Sequence, residues 1–246
     1  MKALVIGDGC IDEYRYGVIN RVNPEAPVPL LNFTHTETKL GMAYNVAANL
    51  AAFDVKVFTN IPREQLSKKV RYVDSKSGNM LMRVDNDAKP ELIKHNDYSQ
   101  YDFIVISDYD KGFLSYSDIH EIRKLFDGPI YLDTKKRSLA KFDNIFIKIN
   151  SAEFMALESS PDFQGLVVTQ GSRGCLHMGM RYAASVSDVI DVCGAGDTFL
   201  AAFAYTHFKT KDMAQALKAA NKCAGIACSH LGVYALTKED VECVFS

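Results

Sequence analysis

The segment from Asp191 to Thr198 reads Asp-Val-Cys-Gly-Ala-Gly-Asp-Thr and runs straight into an apolar, alanine-rich stretch. Gly194, Ala195 and Gly196 carry little or no side chain, so a ligand can come close to their backbone. N–H groups at a helix start converge on an anion such as a phosphate. Asp197 follows at once. A carboxylate repels a phosphate, so it makes a poor binder there and a good base for a hydroxyl proton. Read by itself, the segment also suits a plain helix N-terminus, with glycine in the turn and an acid favouring the dipole. The chain has no Gly-x-x-x-x-Gly-Lys-Ser/Thr run, and Gly7-Asp8-Gly9 lacks the third glycine of the dinucleotide fingerprint. Six cysteines (10, 175, 193, 223, 228, 243) form no Cys-x-x-Cys pair and no metal-ligand spacing.

These residues need elements to hold them. The pattern predicts a strand at Lys2–Ile6, another at Val28–Phe33 after a proline-rich turn, a buried helix over 42–53 and a short strand at Val55–Phe58. Two alternating runs around Ser75–Asn79 predict a hairpin over 67–85. Beyond residue 100, strands at Phe103–Ser107, Ile130–Leu132, Ile145–Ile149 and Leu166–Thr169 alternate with helices near 115–126 and 151–158. Short apolar strands alternating with helices imply a parallel sheet covered on both faces. A hairpin at 174–186 and helices at 195–208 and 212–229 complete the chain. The expected fold is α/β, a three-layer sandwich on a mostly parallel sheet in one domain over 1–246. A small β lid drawn from about 13–40 and 67–85 would cover the sheet's carboxyl edge, where ligands of such sheets bind.

Several motifs occur together and in order: Asp-Val-Cys-Gly-Ala-Gly-Asp-Thr-Phe-Leu-Ala-Ala-Phe-Ala-Tyr at 191–205, Gly7-Asp8, Asp12 to Gly17, Arg21 to Pro29, and Ser107-Asp108-Tyr109-Asp110-Lys111-Gly112. Together they resemble the PfkB/ribokinase family of carbohydrate kinases. Within it they look most like the heptose 7-phosphate kinases that form one half of bifunctional heptose enzymes. The resemblance covers Leu4 to about Asp240. It implies ATP-dependent phosphoryl transfer to a sugar hydroxyl, with D-glycero-D-manno-heptose 7-phosphate becoming the 1,7-bisphosphate. By position, Asp197 matches the base and Gly194, Ala195 and Gly196 the anion hole. Asp12, Gly41 and Asn45 match sugar-binding residues. Asn150 and Glu153 match an Asn-x-x-Glu element tied to phosphate and, through water, to Mg²⁺. Thr169, Gly171 and Asn221 match nucleotide-site positions. The resemblance also implies K⁺ in some relatives and pairing of two copies through the lid. Asn150-Ser151-Ala152-Glu153 equally reads as a capping box.

A phosphorylated acceptor needs positive charge at its far end. Arg15, Lys69, Arg71, Arg83 and Lys111 are the candidates, and Lys69 and Arg71 share one face of a strand. They form either a phosphate clamp that excludes water or an ordinary solvated surface. The sequence departs from the family at Met42 and Tyr44, where the sugar-binding turn carries small residues, at Cys193, and over 58–68, where a βα unit is missing. Met42 and Tyr44 are expected to reshape the sugar pocket. The alternatives are a kinase for another sugar or a nucleoside, and a catalytically weak protein that binds nucleotide or sugar phosphate. Charge is nearly balanced, 28 basic against 30 acidic residues for a net −2, which disfavours a nucleic-acid or acidic-membrane binder. Apolar runs are too short for a membrane span or signal peptide, and scattered cysteines suit a reduced, cytoplasmic protein.

Overall fold

A computed structural model describes residues 1–62, 64, 66–95, 97–139, 145–158, 164–185 and 188–245. In chain order the elements are β1 (Lys2–Gly7), β2 (Gly9–Val22), β3 (Pro29–Met42), α1 (Ala43–Ala52), β4 (Lys56–Asn60), β5 (Ser67–Asp74), β6 (Met80–Asn86), β7 (Phe103–Asp108) and α2 (Tyr116–Leu125). Then come β8 (Ile130–Thr134), β9 (Ile145–Asn150), α3 (Ser151–Met155), β10 (Leu166–Thr169), β11 (Cys175–His177), β12 (Met180–Tyr182), α4 (Ala195–Thr210), α5 (Met213–Cys228) and α6 (Lys238–Phe245).

The central sheet has the order β12-β11-β10-β9-β8-β7-β1-β4. All pairs from β10 to β4 are parallel, and the β10–β11–β12 pairs are antiparallel. Its strands are continuous apolar runs because both faces are buried. One face sends Val5, Phe103, Val105 and Tyr131 against α1, α4 and α5. The other sends Leu4, Ile6, Ile104, Ile106 and Leu132 against Ile119 and Ile122 of α2 and against Tyr98 and Phe113. Helix α2 starts where Ser115 and Asp118 exchange side-chain-to-backbone hydrogen bonds in a capping box, worth about 1 kcal/mol. Helix α4 lies inside the molecule, with every residue from Asp197 to Thr206 buried. The layers and the mostly parallel sheet are those expected.

A second sheet, β3-β2-β5-β6, stands where the lid is expected. It runs over Gly9–Met42 and Ser67–Asn86, slightly wider than the expected 13–40 and 67–85. The hairpin at 67–85 appears as β5–β6. The strand expected at 28–33 is the first part of the longer β3, β2 falls largely within the 13–40 stretch expected to form the β lid, where the pattern delimits no separate strand, and α6 lies where the sequence pattern predicts no element. Helix α3 stops at Met155 rather than 158, closed by the Ala156 N–H on Ala152 O. The end of the 174–186 hairpin, at 186, lies outside the described residues, as do Arg63 and Gln65 in the shortened 58–68 stretch. Strand β4 leads to β5 with residues 61–66 between them and stands at the edge of the sheet.

Candidate active site

The carboxyl ends of the parallel strands bring Asp108, Tyr109, Asp133, Lys148 and Asn150 to one cleft. The N-terminus of α4 meets it from the other side with Gly194, Gly196 and Asp197, around a cavity of about 150 Å³. Gly194 sits at φ 78°, where a side chain would be strained and its Cβ would lie 2.7 Å from Asn45 Nδ2. The Ala195 N–H closes the turn on Val192 O at 3.3 Å. A Cβ on Gly196 would lie 3.0 Å from Lys148 Nζ, so that ammonium stands directly against the glycine turn.

Asp197 is buried, and each carboxylate oxygen receives one donor. Tyr109 donates its hydroxyl to Oδ1 at 2.9 Å and Asn45 donates Nδ2 to Oδ2 at 3.2 Å. Asn49 donates to Asn45 Oδ1 at 3.1 Å and so fixes which way that amide points. Burial pushes the Asp197 carboxyl up to about 6; the Asn45 hydrogen bond opposes this and nearby Asp133 adds to it. Asp197 is therefore largely ionised at pH 7 yet close enough to neutrality to accept a proton.

Lys148 interrupts the apolar run of β9 and is buried, paired with Asp133 at 2.7 Å. Burial pulls its pKa down, but Asp133 outweighs burial and leaves it above the ordinary lysine value. Lys135 joins the same lining. Asn150 and Glu153 make the reciprocal capping box at α3, at 2.9 and 2.7 Å. Both also line the cleft, so the capping and cleft readings hold together. Burial raises the Glu153 pKa, the Asn150 N–H lowers it and Asp133 raises it further. Thr169 lies beside Asn150 in register, and Gly171 follows at φ 58°.

On the lid, Asp12 pairs with Arg71 and receives the Cys10 thiol at 3.4 Å. A Cβ at Gly41 would collide with Asp12 Oδ2. Lys69 and Arg71 do share the inward face. Lys69 Nζ lies 5.5 Å from the Tyr109 ring centroid, and Arg71 lies over Tyr14 and reaches Cys193 Sγ at 3.8 Å. The expected clamp is nevertheless smaller than its sequence suggests. Arg71 is buried and paired with Asp12, Arg83 pairs with Asp85 at 2.9 Å, and Lys111 pairs with Asp87. Met42 takes φ 60° and ψ −130°, backbone that glycine adopts freely, but its side chain is buried at 3% exposure. Tyr44 donates to Pro62 O at 2.9 Å.

Asn221 is buried in α5 and donates to Tyr182 O at 2.9 Å, pinning β12 rather than lining the cleft. Sequence reasoning does not single out Tyr109, Asp133, Lys135 or Lys148 as site residues. A lysine inside a continuous apolar strand is the signal that could have found Lys148. Among the described residues, no three His, Cys, Asp or Glu side chains converge to hold a metal alone, and no helix is long and apolar enough to cross a membrane.

Residues 147–240 match the model of the pfkB family carbohydrate kinases. The bifunctional protein HldE of a Nitratiruptor species is 29% identical over 296 residues, covering 98% of this chain and 64% of that protein. The aligned stretch exceeds the 246 residues here, so the relative carries insertions. The chain spans less than two thirds of the bifunctional relative's length. The D-beta-D-heptose 7-phosphate kinase of Bordetella bronchiseptica is 26% identical over 298 residues, covering 98% of this chain and 95% of that protein. Among solved structures, Arabidopsis thaliana ribokinase complexed with ribose and ATP superposes with a TM-score of 0.70 at 16% identity, covering 99% of this chain and 98% of that one. At that identity it establishes the ribokinase-like fold.

Proposed function

We propose that the chain, whose residues 147–240 match the pfkB family carbohydrate kinases, is a kinase of that kind that moves the terminal phosphoryl group of ATP to a hydroxyl of D-glycero-D-manno-heptose 7-phosphate, giving the 1,7-bisphosphate. One observation carries the reading: the buried Asp197 carboxylate, the α4 N-terminus and the Lys148 ammonium all face one cleft. Asp197 takes the hydroxyl proton as the sugar oxygen bonds to phosphorus and the bond to the ADP oxygen breaks. The small Gly194-Ala195-Gly196 turn, the helix start and Lys148 hold the charge on the transferred group. Asp12, Gly41 and Asn45 orient the sugar, Lys69 attracts its distal phosphate, and Asn150, Thr169 and Gly171 border the nucleotide.

The residues fit Mg²⁺ carried on the nucleotide rather than a resident ion. Carboxylates of Asp108, Asp133 and Glu153 share the cleft, whereas Mg²⁺ prefers waters, substrate phosphates and few protein ligands. Glu153 would hold it through water, and the ion would neutralise phosphate charge. K⁺ enters no step of this reading. Two copies pair through the outer face of the lid in the same proposal, and the protein acts in the cytoplasm.

A second reading, a kinase for an unphosphorylated sugar or a nucleoside, is favoured by the pairing of Arg71, Arg83 and Lys111 with carboxylates. ADP release, measured with heptose 7-phosphate, free heptose, ribose and a nucleoside, separates the two. The phosphorylated heptose is expected to turn over fastest, and Asp197→Asn to lower kcat by about 10²–10⁴-fold. Equal turnover of the free sugar removes the distal-phosphate role. Equal activity of wild type and Asp197→Asn removes the base, and nucleotide binding without turnover removes the kinase.

A further inference from the structure

The Ser107–Gly112 motif holds a tyrosine that the proposed chemistry does not use. Tyr109 stands just past the end of β7, half-buried in the cleft lining. Its backbone is anchored from the neighbouring strand: the buried Asp8, just past β1, accepts the Tyr109 N–H at 2.7 Å. Asp8 in turn donates its own N–H to Ser107 O at 3.1 Å, so the two strand ends are cross-tied. Lys135 and Lys69 ammonium groups lie 4.3 and 5.5 Å from the ring centroid, which restrains the ring electrostatically. The hydroxyl so placed donates to Asp197 Oδ1 at 2.9 Å.

We infer that Tyr109 is a positioning residue for the base: with Asn45 on the other oxygen, its hydroxyl fixes the plane of the Asp197 carboxylate and holds it ionised. The inference rests on the kinase reading for its consequence in catalysis, but the hydrogen bond and its effect on Asp197 stand independently of the acceptor. A donor to the charged form of a carboxylate favours that form. The other groups facing Asp197 are Asn45 from α1, Asp133 from β8 and Lys148 from β9. Cys10 of β2 also feels the Asp197 and Lys69 charges. Tyr109→Phe leaves all of these and the ring itself in place, and removes only the O–H.

The test uses Tyr109→Phe in the full chain with two readouts. The first is the pH profile of kcat/KM for whichever acceptor turns over. The second is the carbon-13 titration of the Asp197 carboxyl, which needs no activity. A hydrogen bond to a charged group corresponds to about one pKa unit. Both the acid limb and the Asp197 titration are expected to move up by about one pH unit, with KM for ATP within about twofold of wild type. A purely structural tyrosine would lower activity equally at every pH and leave the Asp197 titration in place, and that result overturns the inference. If wild type turns over no acceptor, the kinase reading falls while the titration still decides on Tyr109. Should Tyr109→Phe not fold, fluorotyrosine at 109, a stronger donor, is expected to move the titration down. An unmoved titration there overturns the inference as well.

Discussion

Asp197 has its carboxyl pushed up to about 6 by burial, against 3.8 for the exposed group. A carboxyl whose folded pKa is raised contributes stability that is fully present below the unfolded pKa and lost as pH rises through the folded pKa. At neutral pH the ionised carboxylate therefore destabilises the fold, by about 2–3 kcal/mol for this shift. The expected outcome is that Asp197→Asn is more stable than wild type at pH 7.5. That advantage should shrink as pH falls through 6 and disappear below about 4. Urea titrations of both proteins at several pH values check this, and a variant no more stable at pH 7.5 contradicts it. The sequence made Asp197 legible because an acid beside a glycine turn fit for an anion makes a poor binder and a good base. It hid Tyr109, Asp133 and Lys148, because each lies at or near a strand end and is brought to Asp197 only by the parallel register.

At the level of elements, the central sheet could be read because its strands are buried on both faces and so are unbroken apolar runs. Strand β2 could not. Its inward residues Asp12 and Tyr14 face a polar site, and its outward residues Glu13 and Arg15 pair with each other at 2.6 Å. No apolar alternation survives. Besides the ladder, the more exposed Glu13–Lys68 and Arg15–Tyr72 contacts join β2 to β5, and the buried pair of Asp12 and Arg71 ties the same two strands. Breaking one partner leaves an uncompensated buried charge, which costs about 3–5 kcal/mol. Arg71→Met is expected to lose about that much, because Asp12 is then alone. Adding Asp12→Asn should recover most of the loss. A double-mutant cycle by chemical denaturation measures it, and additive single losses would show that the two side chains do not depend on each other. Sugar affinity is expected to stay weak in the double variant, since Asp12 is proposed to hold the substrate.

At the scale of the whole molecule, the chain is shorter than the stretch over which it aligns with its bifunctional relative, 246 residues against 296. The sequence pointed to one gap at 58–68. Near helix α3, Met155 and Met178 are 82% and 64% exposed. The lid carries the other large apolar surface. Register places Leu40, Val84, Met82 and Phe33 on its outer face, opposite the side that bears Asp12, Lys69 and Arg71. All four are between 46% and 63% exposed. An exposed apolar face on a two-edged sheet favours association over monomeric solubility. Since a stable pair needs about 800 Å² from each partner, the whole outer face must take part. The protein is therefore expected to run as a dimer, with about twice the 27.3 kDa chain mass by light scattering. Met82→Glu with Val84→Glu places two like charges at the centre of that face on each copy. It should yield a monomer with an unchanged circular dichroism spectrum. If the lid must be braced by a partner to close over the cleft, the monomer also loses sugar affinity before it loses nucleotide affinity. A wild-type monomer at micromolar concentration, or a charged variant that stays dimeric, rules the lid out as the interface.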